Sequence, residues 1–237
     1  MRRVLVVKTG TTLPQLRPHR GDYEDWIVEG LGLDWGRIEL AVVYEGETLP
    51  EPSEPAGVVV TGSSALVSAR EPWSERAAAW LREAVAAGTP LLGICYGHQL
   101  LAHALGGRVG RNPRGREIGT VAVQLHAAAR EDPLLGGLPA ALTVQATHVE
   151  SVLELPPGAR LLASSAIDPH QAFACGERAW GVQFHPEFDA EVVRTYLEVR
   201  REEIRAEGTD PESLERAVEE SPHGTRLLRR FAELILD

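Results

Sequence analysis

Residues 91–107 read Leu91-Leu92-Gly93-Ile94-Cys95-Tyr96-Gly97-His98-Gln99-Leu100-Leu101-Ala102-His103-Ala104-Leu105-Gly106-Gly107, and this stretch decides the fold. The apolar run Leu91, Leu92, Ile94 predicts a short buried strand, and Leu101, Ala104 and Leu105 predict one face of a helix that follows at once. Strand and helix meet at Gly93-Ile94-Cys95-Tyr96-Gly97. This is a sharp turn between two glycines, of the nucleophile-elbow kind, with Cys where hydrolases of another fold carry Ser. A Cys there stands at a helix N-terminus, where the dipole and free N–H groups favour thiolate over thiol. Free Cys is also among the most buried residue types, so on this stretch alone Cys95 reads equally well as packing.

Upstream, Val4–Val7, Ile38–Tyr44 and Val58–Val60 read as strands and Tyr23–Leu31 as a helix. Pro72–Ala87 reads as a second helix, opened by its proline and closed by Gly88. Residues 8–21 form a polar loop, and Leu49–Pro55 is a Pro-rich connector. This alternation predicts an α/β fold: a doubly wound, mostly parallel central sheet of flavodoxin-like type, with helices on both faces and functional groups at the C-terminal ends of its strands. Downstream, Thr120–Leu125, Leu142–Gln145, Arg160–Ser164, Gln171–Ala174 and Ala179–Phe184 are shorter strands whose turn signals predict attached antiparallel hairpins. Asp189 caps a helix to about Ala206, and Asp210-Pro211 and Ser221-Pro222 open two more. A single domain is expected over 1–237, of which 189–237 is a helical C-terminal extension.

The reading of Cys95 changes at Trp180-Gly181-Val182-Gln183-Phe184-His185-Pro186-Glu187-Phe188. Read as a strand, this run delivers His185 and Glu187 to the same side, two residues apart, so that the carboxylate reaches the imidazole. Cys95, His185 and Glu187 are then a nucleophile, a general base and the group that orients the base. An α/β-hydrolase is excluded by order, since there the acid precedes the histidine in sequence.

These motifs resemble the class I glutamine amidotransferases, in which a Cys-His-Glu triad hydrolyses the side-chain amide of L-glutamine. A third match, Thr147-His148-Val149-Glu150-Ser151-Val152 before Leu155-Pro156-Pro157-Gly158, is similar to a segment of the GMP synthetase amidotransferase domains. The resemblance covers residues 1 to about 190. It implies a γ-glutamyl thioester on Cys95, an oxyanion site at the backbone N–H groups of Gly62 and Tyr96, and substrate contacts from Gln99, His148, Val149, Glu150 and Ser151. Two departures stand out. Thr61-Gly62-Ser63 replaces the family's usual Gly-Gly-Pro, and Glu150 stands where the synthetase domain has Asp. The resemblance implies no cofactor.

Composition sets the remaining bounds. With 24 Lys+Arg against 34 Asp+Glu the net charge is −10, and no basic run offsets it, which argues against nucleic-acid binding. Hydrophobic residues make up 43%, without a run of membrane-spanning length, so no membrane association is expected. Cys95 and Cys175 do not form a disulfide framework, and Cys175 is expected in a hairpin turn at the surface or an edge. A nucleophilic Cys95 requires a reducing setting, hence a cytoplasmic location. His98 and His103 are expected in packing or surface roles, and no metal site is predicted. Lys8 is the single lysine.

The 237 residues carry neither a phosphate-cradling Gly-rich loop with Lys-Ser/Thr nor a Ser-Gly-Gly-x-Asp signature. A synthetase, if one is served, is expected on a separate chain. Three functions therefore follow: a glutaminase, a γ-glutamyl hydrolase or peptidase in which the 8–21 loop shapes the acceptor side, and a non-catalytic module, against which the intact triad argues. Assembly as a homo-oligomer is left open.

Overall fold

In β1 (Val4–Lys8), Val4 and Val6 pack into one core while Leu5 and Val7 pack into another, as the period of two dictates for a strand buried on both faces. The computed structural model describes residues 2–236. Four more strands run parallel to β1: the half-buried edge strand β2 (Ile38–Val42) and the fully buried β3 (Gly57–Val60), β4 (Leu91–Ile94) and, far along the chain, β11 (Ala179–Val182). Their order β2-β1-β3-β4-β11 is the flavodoxin-like winding the sequence predicts. The chain turns from one side of β1 to the other, so the carboxyl ends of β1, β3, β4 and β11 surround one crevice.

Helices α2 (Tyr23–Leu31), α5 (Ala190–Val199) and α8 (Pro222–Leu236) cover one face. Helices α3 (Pro72–Ala86) and α4 (Tyr96–Ala104) cover the other. Beyond β11 the same sheet continues through antiparallel neighbours β10 (Ala172–Cys175), β9 (Arg160–Ser165), β6 (Glu117–Leu125) and β7 (Ala141–His148), making nine strands among the described residues.

Several local expectations are corrected. Cys175 is the buried last residue of β10, and burial pushes its thiol up to about 11. Strands β5 (Arg108–Arg111) and β8 (Glu150–Glu154) pair in a separate two-stranded sheet that sequence reading missed, because Arg-Val-Gly-Arg carries no apolar alternation. The 8–21 loop contains one turn of helix, α1 (Arg17–Arg20). The helix expected from Asp189 to Ala206 breaks at Arg200 (φ −96°, ψ 10°), leaving α5 and a separate α6 (Arg201–Ala206). A further short helix, α7 (Pro211–Arg216), starts where the Asp210-Pro211 pair predicts.

The C-terminal segment is packed into the body of the fold. Gly30 of α2 and Gly57 of β3 meet Leu228 and Ile235 of α8. A Cβ at Gly224 would lie 2.4 Å from the Pro186 carbonyl oxygen, so α8 also backs the turn that carries His185 and Glu187.

Candidate active site

Cys95 joins β4 to α4 with φ 50° and ψ −100°, a conformation that costs a non-glycine residue on the order of 1–3 kcal/mol. Its surroundings enforce the bend. A Cβ at Gly93 would fall 2.4 Å from the Gly97 carbonyl oxygen, and a Cβ at Gly97 would fall 2.4 Å from that of Val60. Glycine is needed at both places so that strand, elbow and neighbouring strand can press together. The Cys95 N–H donates to Val182 (2.9 Å) and the Gly97 N–H to Thr61 (3.2 Å), tying the elbow to β11 and β3. The sulfur lies at the N-terminus of α4, 3.9 Å from the Thr147 carbonyl oxygen.

Two backbone donors beside it are unused. Among the described residues neither the Gly62 nor the Tyr96 N–H donates to a protein acceptor. The Thr61-Gly62 turn is fixed by Thr9, whose N–H donates to Thr61 Oγ1 (3.0 Å) and whose hydroxyl donates to the Thr61 carbonyl (2.9 Å). These hydroxyl bonds supply stiffness where the family's common Gly-Gly-Pro is absent. Gly62 also abuts the His185 ring: a Cβ there would approach Cε1 to 2.9 Å.

His185 and Glu187 are side by side, with Nδ1 and Oε1 2.7 Å apart and both side chains buried. They do not achieve this as neighbours along a strand. β11 ends at Val182, and the chain bends through Pro186, where the Phe188 N–H closes a turn onto the His185 carbonyl (3.4 Å). The His185 N–H donates to Gln145 of β7 (2.8 Å), and its ring stacks on Phe188 with centroids 4.0 Å apart. Nε2 has no hydrogen-bond partner. Burial by itself would lower the His185 pKa; the Glu187 carboxylate and the Cys95 sulfur outweigh it and push it up to about 10. The carboxylate beside the ring therefore favours the protonated imidazole.

The remaining predicted residues gather on the other side of the cysteine. Gln99, one turn along α4, donates through Nε2 to the Glu150 carbonyl (2.7 Å) and to Gln183 Oε1 (3.0 Å). The His148 ring is occupied within the protein, with Nδ1 2.9 Å from the Glu150 carbonyl oxygen and Nε2 2.9 Å from Glu117 Oε2. Val149 lies at the β7–β8 turn, and its carbonyl accepts from the Asn112 N–H (2.9 Å). The Glu150 carboxylate accepts from both the N–H and the hydroxyl of Ser68. The Ser151 hydroxyl is turned away, donating to Asp168 (2.6 Å).

Two cavities open at Cys95. The first, about 270 Å³, is bounded by Tyr96, Gln99, Val149, Glu150, Arg111 and Arg116. The second, about 220 Å³, is bounded by His185, residues Thr11 to Pro14, Tyr23 and Tyr196. Ser63, Ser64, Thr147 and Arg200 border both. Sequence reading missed the arginines, which arrive from β5, the start of β6 and the α5–α6 break, with no motif to join them.

Glu117, His148 and Asp168 bring potential metal-ligand atoms within 4.8 Å of one another. Those atoms are already hydrogen-bonded: Glu117 by His148, Ser165 and Gln171, and Asp168 by Ser151 and the His170 N–H. The cluster locks the β7–β8 turn. His98 is buried against Phe173, and burial lowers its pKa to about 4 against the opposing pull of Asp168. His103 contacts Arg70 and Glu75 near the surface.

An elbow cysteine with a histidine–glutamate pair on a flavodoxin-like sheet defines a cysteine-nucleophile enzyme. The family model for class-I glutamine amidotransferases matches residues 36–199, and the chain belongs to that family. It is 43% identical over 133 residues to a glutamine-hydrolysing GMP synthase of Thermomicrobium roseum, a match covering 56% of this chain and 23% of the relative. A second such synthase, of Aeropyrum pernix, is 40% identical over 142 residues, covering 60% and 25%. The chain thus spans about a quarter of the length of these relatives. In fold it is similar to a glutamine amidotransferase of Thermotoga maritima, with a TM-score of 0.77 at 24% identity over 100% of this chain and 99% of the other. Among the described residues no helix is long and apolar enough to cross a membrane.

Proposed function

We propose that this protein hydrolyses the side-chain amide of L-glutamine to glutamate and ammonia through a thioester on Cys95. The observation that carries this is the buried His185–Glu187 pair, 2.7 Å apart, beside an elbow cysteine flanked by two unused backbone N–H groups. Cys95 attacks the amide carbon, and the Gly62 and Tyr96 N–H groups receive the oxyanion. One such donor is worth on the order of 10²–10³ in rate. His185 gives its Nε2 proton to the departing nitrogen, then takes one from the water that opens the thioester. Glu187 keeps the imidazole oriented and charged. Gln99 and the His148–Ser151 turn shape the first cavity for the glutamyl end, with the Glu150 carboxylate as the acidic partner of an α-amino group.

The ammonia released would serve a synthetase, in keeping with the glutamine-hydrolysing synthases that the chain resembles. Two free cysteines suit a reducing, cytoplasmic setting. The second cavity favours an alternative on the same triad, cleavage of γ-glutamyl peptides or amines, because ammonia needs no space of that size.

The test is ammonia release from glutamine by the purified chain, with Cys95→Ala as control and mass spectrometry for a γ-glutamyl adduct on Cys95. Turnover that survives in Cys95→Ala would refute the thioester.

A further inference from the structure

The two cavities meeting at Cys95 differ in what they can recognise. The second lies on the side of His185, where a leaving nitrogen collects its proton, and the 8–21 loop walls it. That loop is held firmly: the Thr12 hydroxyl lies 2.9 Å from the Tyr196 hydroxyl, the Thr12 N–H donates to Asp22 (2.7 Å), and Asp22 pairs with Lys8 (2.9 Å). A walled space of about 220 Å³ beside the leaving position fits an amine of several heavy atoms.

Its charge comes from Arg200, at the break between α5 and α6. One nitrogen of that guanidinium donates to Glu203 (3.2 Å), while Nε is buried without a partner. Glu203 is shared with Arg116 (2.9 Å), which also holds Glu207. Arg111 and Arg116 line the first cavity together with Glu150 and Glu207, whereas the second cavity is lined by Arg200 and, among the described residues, by no carboxylate. The leaving-group side thus presents a guanidinium with no carboxylate in its lining, in a chain whose net charge is −10. A guanidinium with spare donors is matched by a carboxylate.

We propose that Arg200 is the specificity-determining residue of a leaving-group subsite, and that the preferred substrates are γ-glutamyl compounds whose departing amine carries a carboxylate: γ-glutamyl amino acids and short γ-glutamyl peptides. This rests on the thioester reading of Cys95, His185 and Glu187. The Cys95 sulfur bonds to the γ-carbonyl carbon, the carbon–nitrogen bond breaks, and His185 protonates the amine as it leaves. One water then cleaves the thioester to glutamate, so each bond broken consumes one water.

The experiment compares kcat/KM of the full chain for γ-glutamylglycine, γ-glutamylethylamide (similar in size, without the carboxylate) and glutamine, in wild type, Arg200→Ala and Arg200→Lys. The dipeptide is expected to be favoured at least about tenfold over the ethylamide, the strength of one charge-assisted contact. Arg200→Ala should erase that preference through KM for the dipeptide, and Arg200→Lys should restore part of it. Equal use of both γ-glutamyl compounds by wild type overturns the proposal. So does an equal loss on both in Arg200→Ala, which marks a structural role. If Arg200→Ala does not fold, the wild-type preference and Arg200→Lys decide. Cys95-dependent turnover of glutamine alone removes the subsite and leaves the glutaminase standing; turnover of none of the three, with no adduct on Cys95, removes both.

Discussion

In the parallel half of the sheet the site is built from backbone, and in the antiparallel half it is built from buried side chains. Cys95, Gly62 and Tyr96 owe their positions to glycine contacts and to main-chain bonds between β3, β4 and β11. The β7–β8 turn instead owes its shape to Glu117, His148, Ser151, Ser165, Asp168 and Gln171, a network of carboxylates, hydroxyls, one carboxamide and one imidazole. On the proposed thioester chemistry, the first kind of scaffold fixes where reacting atoms sit, and the second fixes the wall against which a substrate lies. Damage to the first should appear in kcat, and damage to the second in KM.

The seam between the halves offers the largest effect. Glu187→Gln removes the charge that keeps His185 protonated, and glutamine turnover should fall on the order of 10²–10⁴-fold. The pH dependence sharpens the test. A histidine whose folded pKa is raised, here to about 10, contributes stability that is complete below its unfolded value near 6.5 and is lost as pH rises through about 10. In Glu187→Gln the alkaline limit of both stability and turnover should move down by about 1–3 units. An unmoved limit, read from urea unfolding across pH, would mean Glu187 is not what raises His185.

On the parallel side, Lys8→Met strands Asp22 and Glu24 without their buried cation (2.9 Å and 2.5 Å). It should lower stability by about 3–5 kcal/mol, read from the urea midpoint. Loosening of the 8–21 loop should accompany it, as faster proteolysis between Thr11 and Arg20. Gly93→Ala drives a Cβ into the Gly97 carbonyl and should cost about 1–3 kcal/mol in stability. By turning the elbow donors it should also lower kcat on the order of 10²-fold while KM stays within a few-fold. A variant with normal kcat would show that the elbow tolerates movement.

The same contrast decides what the sequence made legible. The elbow, the winding order and the His185–Glu187 pair rest on local signals: apolar period, glycine spacing, a motif of five residues. Even there the mechanism of reach differed, since a proline turn and not a strand brings Glu187 to the imidazole. The antiparallel half depends on contacts between residues far apart in the chain. Glu117 meets His148 across 31 positions, and Arg200 meets the Cys95 cavities only because a helix expected to run to Ala206 breaks one residue after Val199. No periodicity encodes either event. The role of Lys8 was hidden for the same reason, since a lone lysine at a strand end looks like any surface charge until Asp22 and Glu24 close over it.

The smallest effect tests the wall most directly. Glu117→Gln keeps the shape of the side chain and its place opposite His148 but removes the charge that His148, Ser165 and Gln171 all address. A hydrogen bond to a charged group is worth about 1.5–3 kcal/mol net, and a neutral replacement retains about half of that. The remainder, about 1.4 kcal/mol, corresponds to a tenfold change in an equilibrium constant. Because Glu117 acts through His148 on the Glu150 carbonyl, to which Gln99 also donates (2.7 Å), the loss should loosen the proposed glutamyl-binding wall without moving the elbow. KM for glutamine should rise about tenfold with kcat unchanged. A fall in kcat at constant KM would mean that the antiparallel half also aims the reacting atoms, and that the division between backbone-built and side-chain-built parts of the site does not hold.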